Sequence, residues 1–241
     1  MNSPRKGRSL AKYSLFGHRD PARLAEAESI VVIGLGRFGS ALALELMKSG
    51  TEVLGIDGDE EVVQAHNRLL THVVRADSTK EATLRELSVP DFSSVVVAIG
   101  GDIQANILTA SLLPKLGIPN IWAKAVSDPH GEILTQLGVN HVIYPEKDMG
   151  KRVAHLVRGA MQDYIEIGEN FALVKTAPPR SLIGVPLGEA KVRARYGVTV
   201  TAFHRPGAGW SYTSLDTVIE DGDIILIAGE SARVEEYSLM R

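Results

Sequence analysis

With 241 residues, a formal net charge of −3 and no cysteine, the chain has room for one large domain or two modest ones and lacks the basic stripe that gripping nucleic acid requires. The missing cysteines exclude disulfides, thiolate metal sites and a cysteine nucleophile, and they fit a reducing compartment. No run approaches the roughly 20 apolar residues of a membrane-spanning helix, and the basic start (Arg5, Lys6, Arg8, Lys12) leads into no apolar stretch, so residues 1–28 read as a basic flexible leader and not as a signal peptide.

From residue 29 short β-branched runs alternate with helix-like segments. Residues 30–33 predict a first strand, 40–49 a helix stopped by Gly50, 53–56 a second strand and 60–70 a second helix. A third strand follows at 72–74 and a short helix at 80–87. The alternation then runs through strand 95–99, helix 106–115, strand 121–123, helix 130–137 and strand 141–143. The strands are continuous apolar runs, as expected where crossover helices cover both faces of a sheet. Strands alternating with helices in this way predict an α/β fold, a Rossmann-like doubly wound parallel sheet over residues 29–146.

Beyond Tyr144 the pattern changes. Residues 147–164 read as one long linker helix, and 165–241 as a small α+β domain. In that domain a strand at 171–175 is followed by the break Ala177-Pro178-Pro179, a helix over 187–196 and a strand at 198–203. After the turn Gly207-Ala208-Gly209, strands at 217–220 and 224–228 bracket Asp221-Gly222, and 231–240 closes the chain.

The sharpest local signal is Gly34-Leu35-Gly36-Arg37-Phe38-Gly39, placed between the first strand and the first helix, with Asp57 about 20 residues on at the end of the second strand. Gly34 suits the tight turn, Gly36 the approach of a phosphate to the backbone, and Gly39 the close packing of helix on sheet. The helix start offers N–H groups and partial positive charge to that phosphate. Asp57 is expected to accept bonds from both ribose hydroxyls and to repel a 2′-phosphate, which disfavours NADP. Asp77-Ser78 after strand three and Ile99-Gly100 after strand four fall at the strand ends where such sheets bind ligands; Asp77 is placed to meet the adenine, and Ile99-Gly100 to line the floor. Arg37 is either a phosphate clamp or a solvated surface residue.

Residues 33–39, the stretch Pro119-Asn120-Ile121-Trp122-Ala123-Lys124-Ala125 and the stretch Pro145-Glu146-Lys147-Asp148-Met149-Gly150 resemble the KtrA and TrkA gating proteins, which carry RCK domains (regulators of potassium conductance). The turn Glu220-Asp221-Gly222-Asp223-Ile224 is similar to one in that family's C-terminal domain. The resemblance implies that ATP, ADP or NAD(H) binds at Gly34, Gly36, Gly39 and Asp57, and that Arg37, next to Phe38 in the loop, reaches a neighbouring subunit's γ-phosphate. It makes Lys124 a phosphate or intersubunit contact, with a structural ion pair as the alternative, and Glu146 part of a divalent-cation site, for Mg or Ca, between subunits, although a lone Glu at a strand–helix junction also suits a helix start. It also implies a homo-oligomer, dimers joined in an octameric ring beneath an integral-membrane potassium channel or transporter, cytoplasmic and peripheral at the inner face of the membrane. Some relatives bind cyclic di-AMP through a segment similar to residues 191–197, here Val192, Arg193, Ala194 and Arg195. Arg193 and Arg195 are two residues apart, so a regular helix does not aim them the same way, and both also suit a helix C-terminus as dipole-compensating surface residues.

Enzymatic chemistry finds little support. The seven histidines show no metal spacing and read as solvated or packed residues. No Ser-His-Asp pattern is recognisable, and the short C-terminal domain offers no obvious general acid. The expectation is a nucleotide-sensing regulatory subunit that gates potassium uptake. The alternatives are an NAD-linked oxidoreductase, or the same RCK module serving a potassium channel or a cation/proton antiporter.

Overall fold

The computed structural model describes residues 29–158, 161–168 and 170–240; the leader expected over residues 1–28 lies outside the described residues. The chain divides into two units, the first ending at Pro145 and the second starting at Glu146. Among the described residues no helix is long and apolar enough to cross a membrane.

The first unit runs β1 (Ser29–Ile33), α1 (Arg37–Lys48), β2 (Glu52–Asp57), α2 (Glu60–His66), β3 (His72–Arg75), α3 (Glu81–Glu86), β4 (Ser94–Val97), α4 (Ile103–Leu112), β5 (Asn120–Lys124), α5 (Asp128–Gln136) and β6 (His141–Ile143). Its six strands lie in the order β3-β2-β1-β4-β5-β6, every neighbour parallel. This is the Rossmann-like sheet. Successive residues of β1 serve opposite faces: Val31 and Ile33 pack with Val95, Val97 and Leu113, while Val32 packs with Leu35, Ala43 and Leu70. Each such aliphatic side chain contributes about 1.5–3 kcal/mol on burial, which is why the strand reads as an unbroken apolar run. The chain reverses its direction of winding between β1 and β4, and that switch point opens a crevice at the carboxyl ends of the strands. Helix α1 begins at Arg37, three residues ahead of the expected start, so the glycine loop passes directly into its first turn.

The second unit contains most of α6 (Pro145–Arg158), then β7 (Met161–Glu166), β8 (Phe171–Thr176), α7 (Leu187–Ala190), α8 (Val192–Tyr196), β9 (Val198–Arg205), β10 (Gly209–Tyr212), β11 (Ile224–Glu230) and α9 (Ser231–Ser238). Its sheet has the order β10-β9-β11-β8-β7, antiparallel throughout. Tyr164, Val174, Val198, Ile225, Ile227, Val234 and Tyr237 form its core.

Three expectations for this unit are corrected. The helix expected over 147–164 stops at Arg158, and Met161–Glu166 is a strand paired with β8. A register shift between Met161 and Asp163 leaves Met161 and Tyr164 both buried, so a bulged strand carries the three-residue spacing of a helix face. Arg152 of α6 donates to Asp163 Oδ1, and that bond holds the Asp163 carboxyl below its ordinary value. The helix expected over 187–196 is broken into α7 and α8 by Lys191, whose φ of 49° is left-handed. Residues 217–220 form no strand; Val218 and Ile219 make only isolated bridges to Pro186 and Ile183.

Candidate functional site

The crevice at the switch point is a cleft of about 410 Å³ lined by residues that include Gly34, Gly36, Asp57, Asp77, Ile99 and Gly100. Two of its glycines answer to the protein's own packing. Gly34 has φ +92°, and a Cβ there would lie 2.9 Å from the backbone nitrogen of Ile99. A Cβ on Gly39 would lie 1.9 Å from the Gly34 carbonyl oxygen, so no side chain fits without moving the loop. Gly36 differs. Its φ is −66°, open to any residue, and beyond its two chain neighbours no protein atom lies within 4 Å of where its Cβ would stand. Gly36 is the N-cap of α1 and supplies no side-chain cap, and the first turn holds no acidic residue, leaving amide dipoles turned toward the cleft.

Asp57 is held from two sides. Its Oδ2 accepts the Leu35 N–H at 2.6 Å and its Oδ1 the Asp59 N–H at 2.9 Å. An ionised carboxylate has about four acceptor positions, so this bonding fixes the group and leaves capacity for hydroxyl donors. Asp77 accepts from Thr79 through the hydroxyl at 2.6 Å and the backbone N–H at 3.1 Å, and Lys80 Nζ stands 3.2 Å away. The Thr79 hydroxyl bond is the largest of the influences that hold the Asp77 carboxyl below its usual value of 3.8. Ser78 also lines the cleft, but its hydroxyl turns inward to Thr109 Oγ1 at 2.9 Å.

Other expected site residues lie apart. Lys124, buried at the end of β5, lies against Gly100, where a Cβ would be 2.8 Å from its ammonium. That ammonium is 6.0 Å from the centre of the Phe38 ring. Neither residue is part of the cleft lining; Phe38 instead borders an apolar hollow with Leu42 and Trp122. Arg37 is exposed at the start of α1. Glu146 is exposed in the first turn of α6, and among the described residues no three His, Asp or Glu side chains gather as metal ligands.

In the second unit, Val192, Arg193 and Ala194 line a cavity of about 710 Å³ together with Lys191, Thr199 and Leu215, among others. Arg193 Nε donates to Thr199 Oγ1 at 3.2 Å. Arg195 is not part of that lining, and its guanidinium lies 5.4 Å from the Tyr196 ring centre. The two arginines do point apart.

Sequence reasoning missed three residues beneath the first cleft: Asn106, Thr109 and His130, all buried. The one available signal was the polarity of Asn106 and Thr109 inside an apolar helix; His130 sits on a polar one and gave none.

Residues 30–145 match the TrkA-N domain family and residues 171–239 the TrkA-C domain family. The chain is 37% identical over 212 residues to Ktr system potassium uptake protein C of Bacillus subtilis, covering 87% of this chain and 96% of that protein. It is 36% identical over 211 residues to Ktr system potassium uptake protein A of the same organism, with coverage of 87% and 95%. The Ktr system potassium uptake protein A of Vibrio alginolyticus is 32% identical over 203 residues, with coverage of 84% and 92%. Among solved structures, the GsuK RCK domain superposes with a TM-score of 0.62 at 18% identity, covering 89% of this chain and 48% of that one. The GsuK channel bound to NAD gives the same score and identity, with 89% and 40% covered. At this identity the likeness is one of fold.

Proposed function

This chain belongs to the Ktr/Trk family of two-domain regulatory subunits of potassium uptake, and from that premise we propose that it gates a membrane potassium transporter from the cytoplasmic side according to the adenine nucleotide held in its first cleft. The observation that carries the nucleotide reading is Gly36. The protein leaves open space around that residue, and a phosphate resting on the backbone at the mouth of α1 accounts for the missing side chain. The spare acceptor positions of Asp57 take the ribose hydroxyls and repel a 2′-phosphate.

Arg37, exposed beside the loop, is free of the cleft and available to the terminal phosphate of a nucleotide on a neighbouring subunit. ATP and ADP then favour different assemblies because only ATP presents a γ-phosphate. One site couples by about 1–3 kcal/mol, whereas driving a gate from 1:99 to 99:1 takes about 5.5 kcal/mol. Several sites on one symmetric ring sum to that, which favours a symmetric oligomer, and the family resemblance makes it dimers joined in an octameric ring. In the same reading Glu146 contributes to a Mg or Ca site completed by another subunit, and the cavity at Val192, Arg193 and Ala194 receives cyclic di-AMP. The alternatives of an antiporter or channel partner are separated by which membrane protein co-purifies with the chain.

Arg37→Ala is expected to erase the difference between ATP and ADP in affinity and in ring shape while leaving ADP affinity within about threefold of wild type. Equal loss for both nucleotides would refute the role. A thermal-shift panel tests the wider reading. A ligand at a hundred times its Kd stabilises the native state by about 2.7 kcal/mol, so ATP, ADP or NAD(H) should raise Tm, and NADP at equal concentration should not. A flat response to every adenine nucleotide overturns the proposal, and NADH turnover with a substrate would transfer the chain to the oxidoreductases.

A further inference from the structure

Helix α4 is built inside out. Of the three residues it buries, Asn106 and Thr109 are polar, while Ile103 and Leu108 are exposed. This inverts the usual arrangement of a surface helix, and a buried polar group left unpaired costs about 1–3 kcal/mol. Each of these has partners, and the partners share a location. Asn106 Nδ2 donates to the Ile99 carbonyl at 2.7 Å and to the Lys124 carbonyl at 3.1 Å. Its Oδ1 lies 3.2 Å from His130 Nε2, and His130 Nδ1 lies 3.3 Å from the Val126 nitrogen. Thr109 meets Ser78. One helix face thus ties the segments that follow β3 and β4, both of which line the nucleotide cleft, to the end of β5.

The bonding admits a single protonation state. Asn106 spends both amide hydrogens on carbonyls, so its oxygen must accept, and the proton sits on His130 Nε2. His130 Nδ1 then accepts the Val126 N–H. A second ring proton would set donor against donor in a buried site, and burial itself lowers the basicity of this imidazole. The elements packed around the ring also carry Asp102 before α4, Lys124 on β5, His141 on β6 with Tyr144 beyond it, and Asp128 and Glu132 on α5 itself.

We propose that Asn106, Thr109 and His130 are positioning residues of the nucleotide cleft, clamping the loops after β3 and β4 in the geometry the ligand meets, and that the clamp holds only while His130 is neutral. The inference rests on the nucleotide reading above. It is tested by calorimetric titration of ADP into the full-length chain and its variants, from about pH 8 to about pH 5.5. His130→Gln can still donate to Asn106 but does not titrate. It should match the wild type within about threefold at the upper pH and lose affinity less steeply as pH falls, by a factor of several and less than about tenfold across the range. Comparing the two cancels the ligand's own phosphate titration. Asn106→Leu should weaken ADP by about tenfold at the upper pH, and the near-isosteric Thr109→Val by about threefold. Should Asn106→Leu fail to fold, Thr109→Val and the paired pH profiles decide the matter. Parallel profiles together with wild-type affinity in Thr109→Val overturn the positioning role alone. Absence of ADP, ATP and NAD binding by the wild type at every pH overturns the nucleotide reading beneath it.

Discussion

A Gly36→Asp chain is expected to melt no lower than the wild type, yet to bind adenine nucleotides more than about a hundredfold more weakly. The argument starts from space. Beyond its two chain neighbours no atom lies within 4 Å of the missing Cβ, and the backbone there is ordinary for any residue. Gly36 is also the N-cap of α1, which has no side-chain cap of its own. An aspartate at an N-cap accepts a backbone N–H from the first turn and stabilises a helix by about a few tenths of a kcal/mol relative to glycine there. The folded protein therefore gains or stays level. A phosphate at the same helix mouth meets a carboxylate instead. Two like charges about 4 Å apart repel by about 4 kcal/mol at an effective dielectric of about 20, close to three orders of magnitude in affinity. Gly39→Ala is the contrasting variant. Its Cβ would stand 1.9 Å from the Gly34 carbonyl oxygen, so it should lose melting temperature and binding together. Thermal scans paired with ADP titrations separate the cases. Undiminished ADP binding by Gly36→Asp would remove the phosphate from this loop, and a lowered Tm would mean that the glycine serves the fold after all.

That contrast also marks what could be read without coordinates. The parallel sheet was legible because β1 and β4 are buried on both faces, and an apolar run such as Ile30-Val31-Val32-Ile33 has few other uses. The glycine loop and Asp57 were legible because a turn, a helix start and an acidic residue occur in a fixed order along the chain. Where the outcome depended on partners distant in sequence, the signal faded. The bulge between Met161 and Asp163 gave β7 a helical spacing, and nothing in a lysine side chain announces the left-handed backbone at Lys191. Ser78 sits where a ligand-facing residue was expected, but its hydroxyl prefers Thr109, 31 positions away. Phe38 and Lys124 are not among the residues lining the cleft; the lysine ammonium lies close against Gly100 and 6.0 Å from the Phe38 ring centre, a placement no local pattern announces. The α4 network was invisible for the same reason: an asparagine in an apolar helix gains meaning only once the carbonyls it caps are in place.

Asp223→Ala is expected to destabilise the second unit by about 3 kcal/mol at neutral pH. Asp223 is 3% exposed. Its Oδ1 accepts from Arg205 Nε at 3.0 Å, and its Oδ2 from Arg205 Nη2 at 2.8 Å and from the Glu220 N–H at 2.9 Å. Arg205 also donates to the Val218 carbonyl at 3.1 Å. This fork knots the turn Glu220-Asp221-Gly222-Asp223, whose Gly222 has φ +86°, and does the work that a paired strand over 217–220 would otherwise have done. Breaking a buried pair by removing one partner costs about 3–5 kcal/mol, and the lower figure applies because the guanidinium left behind keeps a face in water. For a unit of roughly a hundred residues that corresponds to a drop of about 12 °C or more in Tm. The sign of the pH dependence follows from the same bond. Arg205 holds the Asp223 carboxyl below the ordinary 3.8, so the native state resists a proton that the unfolded chain accepts. The stabilisation is complete above that unfolded value and drains away as pH falls through the depressed native one. Wild-type protein should therefore lose Tm on acidification below about pH 4 more steeply than Asp223→Ala, with Asp163, held down by Arg152, and Asp77, held down by Thr79, among the groups that keep the variant acid-sensitive. Thermal scans of both chains at neutral and acid pH test this directly: equal slopes, or a Tm unchanged by the substitution at neutral pH, would show that the fork decorates the turn without holding it.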